Sequence, residues 1–336
     1  MNVTSLQPSD TEGLSVSIVV YQPDIAQLGE TLTSLGAACT RLCTASSPAP
    51  VELFLVDNGG LGDVAALIDD LDTKGITTRI LSGHGNVGYG RGHNLAIESS
   101  TRPFHLILNP DIDLDADALV AARAFLGSRP DVGALTPWIG DDTGGQQYLC
   151  RRYPAVLDLL VRGFLPARFR AAFAKRLARY EMRDVITDRD VVWDPPIVSG
   201  CFMLFRTEVL KKLGGFDPRY FLYFEDYDLS LRTHEIARVA YVPSVRVIHH
   251  GGGRRARASR TSACSPRRPS SSTTALAGGS GESPRRHRRE RLRRPRGLSL
   301  CAGCRTYGYR VGTASGRLHR RRARMGARRR RFRGSG

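Results

Sequence analysis

The run from Phe104 to Leu108 is largely apolar, halts at Asn109-Pro110 and ends in two carboxylates, Asp111 and Asp113. On an extended backbone, residues two apart point the same way. Two such carboxylates can share a hard divalent cation, which prefers oxygen ligands. The same residues also suit an ordinary strand exit, because Asn, Pro and Asp are turn formers. Further along, Glu225, Asp226 and Asp228 follow directly on the aromatic-rich stretch Phe216 to Phe224. Apolar surroundings raise a carboxylate's pKa and make it a better base. A helix start with acids in its first turn gives the same pattern. His249 and His250 follow the run Tyr241 to Ile248, where paired imidazoles serve either as metal ligands or in a structural role.

These groups need a scaffold, and the hydrophobic pattern supplies one. The β-branched run Leu14 to Tyr21, ended by Pro23, predicts a buried strand. Asp24 can cap a helix in which Ile25, Leu28, Leu32 and Leu35 recur at helical spacing. Val51 to Val56 reads as a second strand, stopped by Asp57-Asn58-Gly59-Gly60. Leu61, Val64, Ile68 and Leu71 mark a second amphipathic helix, and Thr77 to Leu81 a third strand. A glycine-rich loop, Gly83 to Gly92, leads into a helix from about His93 to Glu98 and then to the strand at 104–109. Past it come a helix from Asp115 to Leu126, a strand from Val132 to Pro137 and an apolar strand from Ile197 to Phe205. A helix through Val209 and Leu213, another from Leu229 to Arg238 and a last strand from Tyr241 to Ile248 complete the series. This alternation indicates an α/β fold with a mostly parallel sheet covered on both faces. Such sheets bind ligands beyond the carboxyl ends of their strands. Tyr21, Asp57, the glycine loop and Asp111 are therefore expected at one rim.

Charge is unevenly spread along the 336 residues. The net charge is +18, yet residues 254–336 hold 26 Arg, no Lys and only two acids, Glu282 and Glu290, a net of +24. Residues 1–253 therefore carry −6, and the basic balance does not make the globular part a nucleic-acid binder. Residues 151–190 are a local exception: Arg151, Arg152, Arg162, Arg168, Arg170, Lys175, Arg176 and Arg179 alternate with Leu, Phe and Ala. They fit either helices with a solvated outer face or a basic amphipathic surface that lies on a membrane or holds an anionic lipid carrier. The cysteines show no framework spacing over the globular part, which points to a reduced compartment. No apolar run approaches the ~20 residues of a membrane span, and the first residues carry no signal-peptide core. A cytoplasmic protein is expected, with peripheral contact at the inner face of the plasma membrane left open.

Ser17 to Tyr21, Val56-Asp57-Asn58, Asn86 to Gly90, Leu108 to Asp111, Ser199 to Met203, Gly215 to Pro218, Phe224 to Leu229 and His249-His250 occur in that order. This ordered set resembles the family-two inverting glycosyltransferases, in particular the rhamnosyltransferase-like members of bacterial polysaccharide and lipopolysaccharide assembly. The resemblance spans residues 14–253. It implies a glycosyltransferase A-type fold, with a nucleotide-sugar half at 14–115 and an acceptor half at 116–253. It implies that Tyr21 and Asp57 line the base, and that Asn86, Gly88, Gly90 and Asn109 face the nucleotide-sugar. Asp111, with Asp113 and His249 or His250, would hold Mg²⁺ or Mn²⁺. Asn109 stands where the family's Asp-x-Asp motif has its first acid. Asp226 would be the base, Glu225 would orient the site and Asp228 would be the reserve base. The implied donor is dTDP- or UDP-linked, with dTDP-rhamnose foremost, and the implied acceptor is a glycan or a lipid-linked sugar.

The remaining segments stand apart. Residues 1–13 are expected to be disordered. Residues 254–336 lack Lys, Ile, Asn, Asp, Gln and Trp, a composition expected of GC-rich coding DNA read in the wrong frame. Ser270 to Thr274, read one base earlier from TCN and ACN codons, becomes apolar three times and then Asn, His, Tyr or Asp twice. A frameshift near 252–260 and a disordered arginine-rich tail are the expectations here. The competing reading is a catalytically impaired homologue, or a nucleic-acid arm of salt-sensitive, unspecific binding. Specific nucleic-acid recognition is not expected.

Overall fold

The computed structural model describes residues 13–45, 49–155, 157, 160–161, 166 and 171–250. The expectations for residues 1–12 and for the tail from 251 onward lie outside the described residues, as do Arg162, Arg168 and Arg170.

A single sheet of nine strands organises the described residues. β1 (Leu14–Val20), β2 (Val51–Asp57), β3 (Ile76–Leu81) and β4 (Phe104–Leu108) lie in the order β3-β2-β1-β4, and all three contacts are parallel. Their crossovers are α1 (Ile25–Ala45), α2 (Ala65–Thr73) and α3 (Tyr89–Ser99). Asp24 caps α1 as expected: its Oδ1 accepts from the Ala26 and Gln27 N–H groups at 3.0 and 3.4 Å. The helix then buries Leu28, Leu32, Leu35 and Leu42 against the sheet.

Beyond β4 the sheet turns mixed. β5 (Ile112–Leu114), α4 (Ala118–Ser128), β6 (Val132–Gly140), α5 (Ala174–Tyr180) and β7 (Val192–Trp193) come next in the chain. They are followed by β8 (Phe202–Arg206), α6 (Thr207–Lys212), α7 (Glu225–Thr233) and β9 (Arg238–His249). β8 runs antiparallel between β4 and β6, β9 runs parallel to β6, and β5 caps the far edge antiparallel to β9. The expected mostly parallel sheet is strictly parallel over its first four strands, while the second half mixes both directions. The antiparallel β5–β9 pair has a consequence for the site. It sets Ile112 opposite His249, so the histidines arrive beside the acids that leave β4.

Two boundaries move in ways that matter. α3 begins at Tyr89 rather than near His93, which places the end of the glycine loop inside a helix. The apolar run from Ile197 forms strand only from Phe202. Residues 197–201 leave the sheet and pass beneath α7, where Ser230 Oγ accepts from the Val198 N–H at 3.1 Å.

Under the rim lies a buried polar ladder. Ser15 Oγ bonds Ser100 Oγ at 2.6 Å and His105 Nδ1 at 2.7 Å; Ser17 Oγ bonds His105 Nε2 at 2.9 Å and His93 Nδ1 at 2.7 Å. Burial lowers the pKa of both histidines, that of His105 to about 3, so both are neutral and each ring offers one donor and one acceptor.

Candidate active site

Asn109 to Asp111 does not continue the strand. Pro110 and Asp111 form a turn between β4 and β5, so Asp111 and Asp113 do not sit on one extended segment. The expected cluster of four ligands divides into two acid–histidine pairs. Asp111 Oδ2 lies 3.4 Å from His249 Nε2, and Asp113 Oδ2 lies 2.6 Å from His250 Nε2.

The two pairs differ in chemistry. Gln147 clasps His249: its amide N–H donates to the His249 carbonyl at 2.8 Å, and its Oε1 lies 2.9 Å from His249 Nδ1. An amide oxygen only accepts, so Nδ1 carries the proton and the Nε2 lone pair faces Asp111. Among the described residues Asp111 Oδ1 is buried without a hydrogen-bond partner, as is Asp113 Oδ1. Two Lewis bases facing one another, one with an orphaned oxygen and the other with its tautomer fixed from behind, suit a divalent cation. His250 instead spends both nitrogens on carboxylates, those of Asp113 and Asp142. Burial acts to lower its pKa, but the bonds to Asp113 and Asp142 outweigh burial and raise it. An imidazolium has no lone pair to give a metal. Glu30, Asp113 and His250 do bring ligand atoms within 4.8 Å of one another, and this group suits a cation only once His250 gives up its proton.

Across the rim, the acids of α7 occupy its first turn. Tyr223 and Phe224 both adopt left-handed backbone conformations, with φ of 70° and 69°. For side chains of this size such geometry costs roughly 1–2 kcal/mol per residue. It turns the chain from an exposed aromatic loop, Phe221 to Phe224, into the helix and buries Glu225. Asp226 Oδ2 accepts from the Gly200 N–H at 3.1 Å and Oδ1 from the Tyr227 N–H at 2.9 Å. Burial raises its pKa against the pull of these donors and of Arg151. Its carboxylate opens on a cavity of about 90 Å³ lined by Leu149, Arg151, Ile197, Ser199, Asp226 and Tyr227. Burial pushes Glu225 up to about 7, and its Oε2 is buried without a partner. No hydrogen bond joins it to Asp226 among the described residues. Asp228 does not suit a reserve base: Arg232, one turn on, donates to it at 2.7 Å while also bonding the Leu213 and Gly215 carbonyls. That carboxylate is committed to bracing α7 against the preceding loop.

Tyr89 joins the two sides. Its hydroxyl lies 3.0 Å from Asn109 Oδ1 and donates to the Gly200 carbonyl at 2.7 Å, while the Gly200 N–H holds Asp226. Burial pushes its pKa well up, with Cys201, Asp226, Glu225 and Asp111 adding to the effect. The hydroxyl is a permanent donor.

Tyr21 and Asp57, the residues expected to line a base, lie together at the ends of β1 and β2. Val20 pairs with Asp57 in register, and Asp57 Oδ1 accepts from the Gly59 N–H at 2.8 Å, leaving its other oxygen for a ligand. Tyr21 stands exposed beside Gly59. Asn86 holds the loop by accepting from the Gly88 N–H at 3.1 Å. The two glycines expected at the ligand face elsewhere. Gly88, at φ 90°, lies so close to the Phe221 carbonyl that a Cβ would fall 2.3 Å from it, and a Cβ on Gly90 would fall 2.8 Å from that of Phe216. Both admit the 216–221 segment against the loop rather than a nucleotide. Asn58 fastens the loop from below, donating to the Gly88 carbonyl at 3.0 Å and lying 3.1 Å from His84 Nε2.

Residues 14–267 match the family described as Glycosyltransferase like family 2. The chain belongs to this family. The match of this glycosyltransferase runs past residue 253, where the domain was expected to end. It is 30% identical over 256 residues to N-acetylglucosaminyl-diphospho-decaprenol L-rhamnosyltransferase of Mycobacterium tuberculosis, covering 71% of this chain and 76% of that protein. It is 29% identical over 175 residues to Rhamnosyltransferase WbbL of Escherichia coli K12, covering 49% of this chain and 62% of that protein. Among solved structures, S. aureus TarS 1-349 in complex with UDP-GlcNAc overlaps 71% of this chain and 59% of its own, at 15% identity and a TM-score of 0.49. No helix among the described residues is long and apolar enough to cross a membrane.

Proposed function

We propose that this glycosyltransferase moves L-rhamnose from dTDP-rhamnose, with inversion, onto a hydroxyl of a lipid-linked sugar in cell-surface glycan assembly. The observation that carries the chemistry is Asp226. It is a half-buried carboxylate of raised pKa, opening on a small cavity and tied through Gly200 and Tyr89 to Asn109 at the strand ends. The donor follows the two rhamnosyltransferase relatives, and the lipid-linked acceptor follows the mycobacterial one.

The residues divide the work as follows. Tyr21 stacks on the base, and the free oxygen of Asp57 accepts the imide proton of thymine or uracil. Asp111 and His249 would hold Mg²⁺ or Mn²⁺, which would supply charge neutralisation for the leaving diphosphate. Asp226 takes the acceptor's hydroxyl proton. The oxygen attacks the anomeric carbon from the face opposite the nucleotide, the bond to the diphosphate breaks, and one displacement inverts the centre. Glu225, part-protonated near neutrality, keeps a second negative charge away from Asp226. Holding donor and acceptor in line supplies much of the rate.

A thermal-shift screen of nucleotide-sugars with and without Mn²⁺ tests the donor, followed by NMR of the product anomer. dTDP-rhamnose is expected to give the largest shift and an inverted product. A larger shift and turnover with another nucleotide-sugar would replace the donor, and a retained anomeric configuration would remove the single-displacement mechanism.

A further inference from the structure

On a globular part of net charge −6, one groove is strongly cationic. About 490 Å³ in volume, it is lined by Arg152, Tyr153, Lys175, Arg176, Arg179 and Tyr180. Lys175, Arg176 and Arg179 are exposed on the short helix α5. Arg152 is fixed across from them by a two-pronged bond to Asp184, at 2.7 and 2.8 Å. The pull of Arg152 lowers the pKa of Asp184.

The groove is not remote from the base. The Arg152 N–H donates to the Tyr180 carbonyl at 2.9 Å. The Tyr180 hydroxyl lies 2.6 Å from that of Tyr227, the residue whose backbone N–H holds Asp226. The Arg151 guanidinium stands 5.9 Å from the centre of the Tyr180 ring and lines the same small cavity as Asp226. Tyr180 thus lines the cationic groove and meets the base cavity through two residues that line it, Tyr227 at its hydroxyl and Arg151 beside its ring.

We infer that this groove binds the diphosphate of the acceptor, the group joining the acceptor sugar to its lipid. The inference rests on the proposed transfer to a lipid-linked sugar. A sugar whose hydroxyl reaches Asp226 through the small cavity carries its own phosphates one ring away. Guanidinium forks and an ammonium match phosphate oxygens by charge and hydrogen-bond geometry. The flanking tyrosines provide apolar wall on which the first isoprenoid carbons rest. This assigns Arg152, Lys175, Arg176 and Arg179 to acceptor recognition rather than to a merely solvated helix face.

The test uses the full chain and its K175E/R179E variant, whose changed side chains are exposed and leave the core untouched. Two acceptors are compared: a sugar on a diphosphate with a short alkyl chain, and the same sugar as a neutral alkyl glycoside. The wild type is expected to prefer the diphosphate acceptor by kcat/KM, and the variant to lose at least about tenfold of that preference, the scale of one charge-assisted contact. A preference that survives the double reversal overturns the assignment. Calorimetric binding of the diphosphate acceptor, without donor, is measured alongside. It reads the groove even if the donor proposal fails, and equal affinity for wild type and variant also overturns the inference. Vesicles containing anionic lipid form the last arm. If the variant loses vesicle binding but keeps the acceptor preference, the groove is a membrane contact and the inference falls.

Discussion

Replacing Tyr89 with Phe removes one oxygen and isolates what the bridge between the two sides of the site contributes. The hydroxyl reaches Asn109 Oδ1 at 3.0 Å and the Gly200 carbonyl at 2.7 Å. Losing a hydrogen bond of this kind costs about 1 kcal/mol, rising to about 3 kcal/mol if the acceptors stay dry. For a body of this size each kcal/mol lowers Tm by roughly 2–4 °C, so a fall of about 2–12 °C is expected. The effect on catalysis is separate. The peptide whose carbonyl loses its donor is the one whose N–H holds Asp226 at 3.1 Å. A freed Gly200 turns, and its N–H turns with it. A catalytic group displaced by about 1 Å costs on the order of 10²-fold in rate. We expect kcat to fall roughly 10- to 100-fold with the donor still bound. The assay is steady-state transfer beside a thermal melt, with Leu42→Ala as the comparison. Leu42 is fully buried in α1, far in sequence from the site, and its truncation costs about 2–5 kcal/mol. A Tyr89→Phe protein that melts earlier yet keeps kcat within about twofold of wild type refutes the link from Tyr89 to the base.

Other outcomes follow from the same geometry. Asp226→Asn is expected to abolish transfer and leave nucleotide-sugar binding nearly intact; retained turnover would remove Asp226 from the base role. Gln147→Leu frees His249 Nδ1 and is expected to raise the Mn²⁺ needed for half-maximal rate about 10- to 100-fold, whereas His250→Gln changes stability more than metal demand. Glu225 has a raised folded pKa of about 7 against an ordinary 4.5, so its cost to the fold is absent below pH 4.5 and complete above 7. Glu225→Gln should therefore melt higher than wild type at pH 8 and converge with it in acid. His250 is also raised, but as a base held by two acids. Its stabilisation is full below the ordinary histidine value and fades as pH rises through the raised one, and His250→Gln should flatten that slope in a pH series of melts. Reading the gene's nucleotides past codon 252 tests the frameshift proposal, which requires an unbroken family-like helix in the shifted frame.

Much of this was legible in the sequence because strand and helix periods are strong where burial is complete. The runs at 14–20 and 51–57 and the cap at Asp24 behave as their residue types require. Pairings across long sequence distances were not legible. Nothing in the spacing of Gln147 and His249 says that one fixes the other's tautomer. Arg232 stands four residues after Asp228, a spacing visible in the sequence, yet only the Leu213 and Gly215 carbonyls show that the pair is a brace. Gly90 reads as freedom for a ligand and proves to be room for Phe216. Tyr89 lies within a recognised stretch, yet nothing in its spacing marks it, because its role depends on Gly200 leaving the sheet before β8 begins.

The serine–histidine ladder has a bearing on how the chain finds its fold. Side chains alternate across a strand, so a slip of β4 by one residue against β1 would carry His105 to the opposite face. Ser15 and Ser17 would then each lose a ring nitrogen of His105, Ser15 keeping only Ser100 and Ser17 only His93 as side-chain partners, and the His105 imidazole would be sealed among apolar side chains. Strands made of Val, Ile and Leu alone accept such an error cheaply. Here a mispaired β4 is penalised at several polar atoms at once, and the chain is driven back to the alignment that delivers Asp111 to His249.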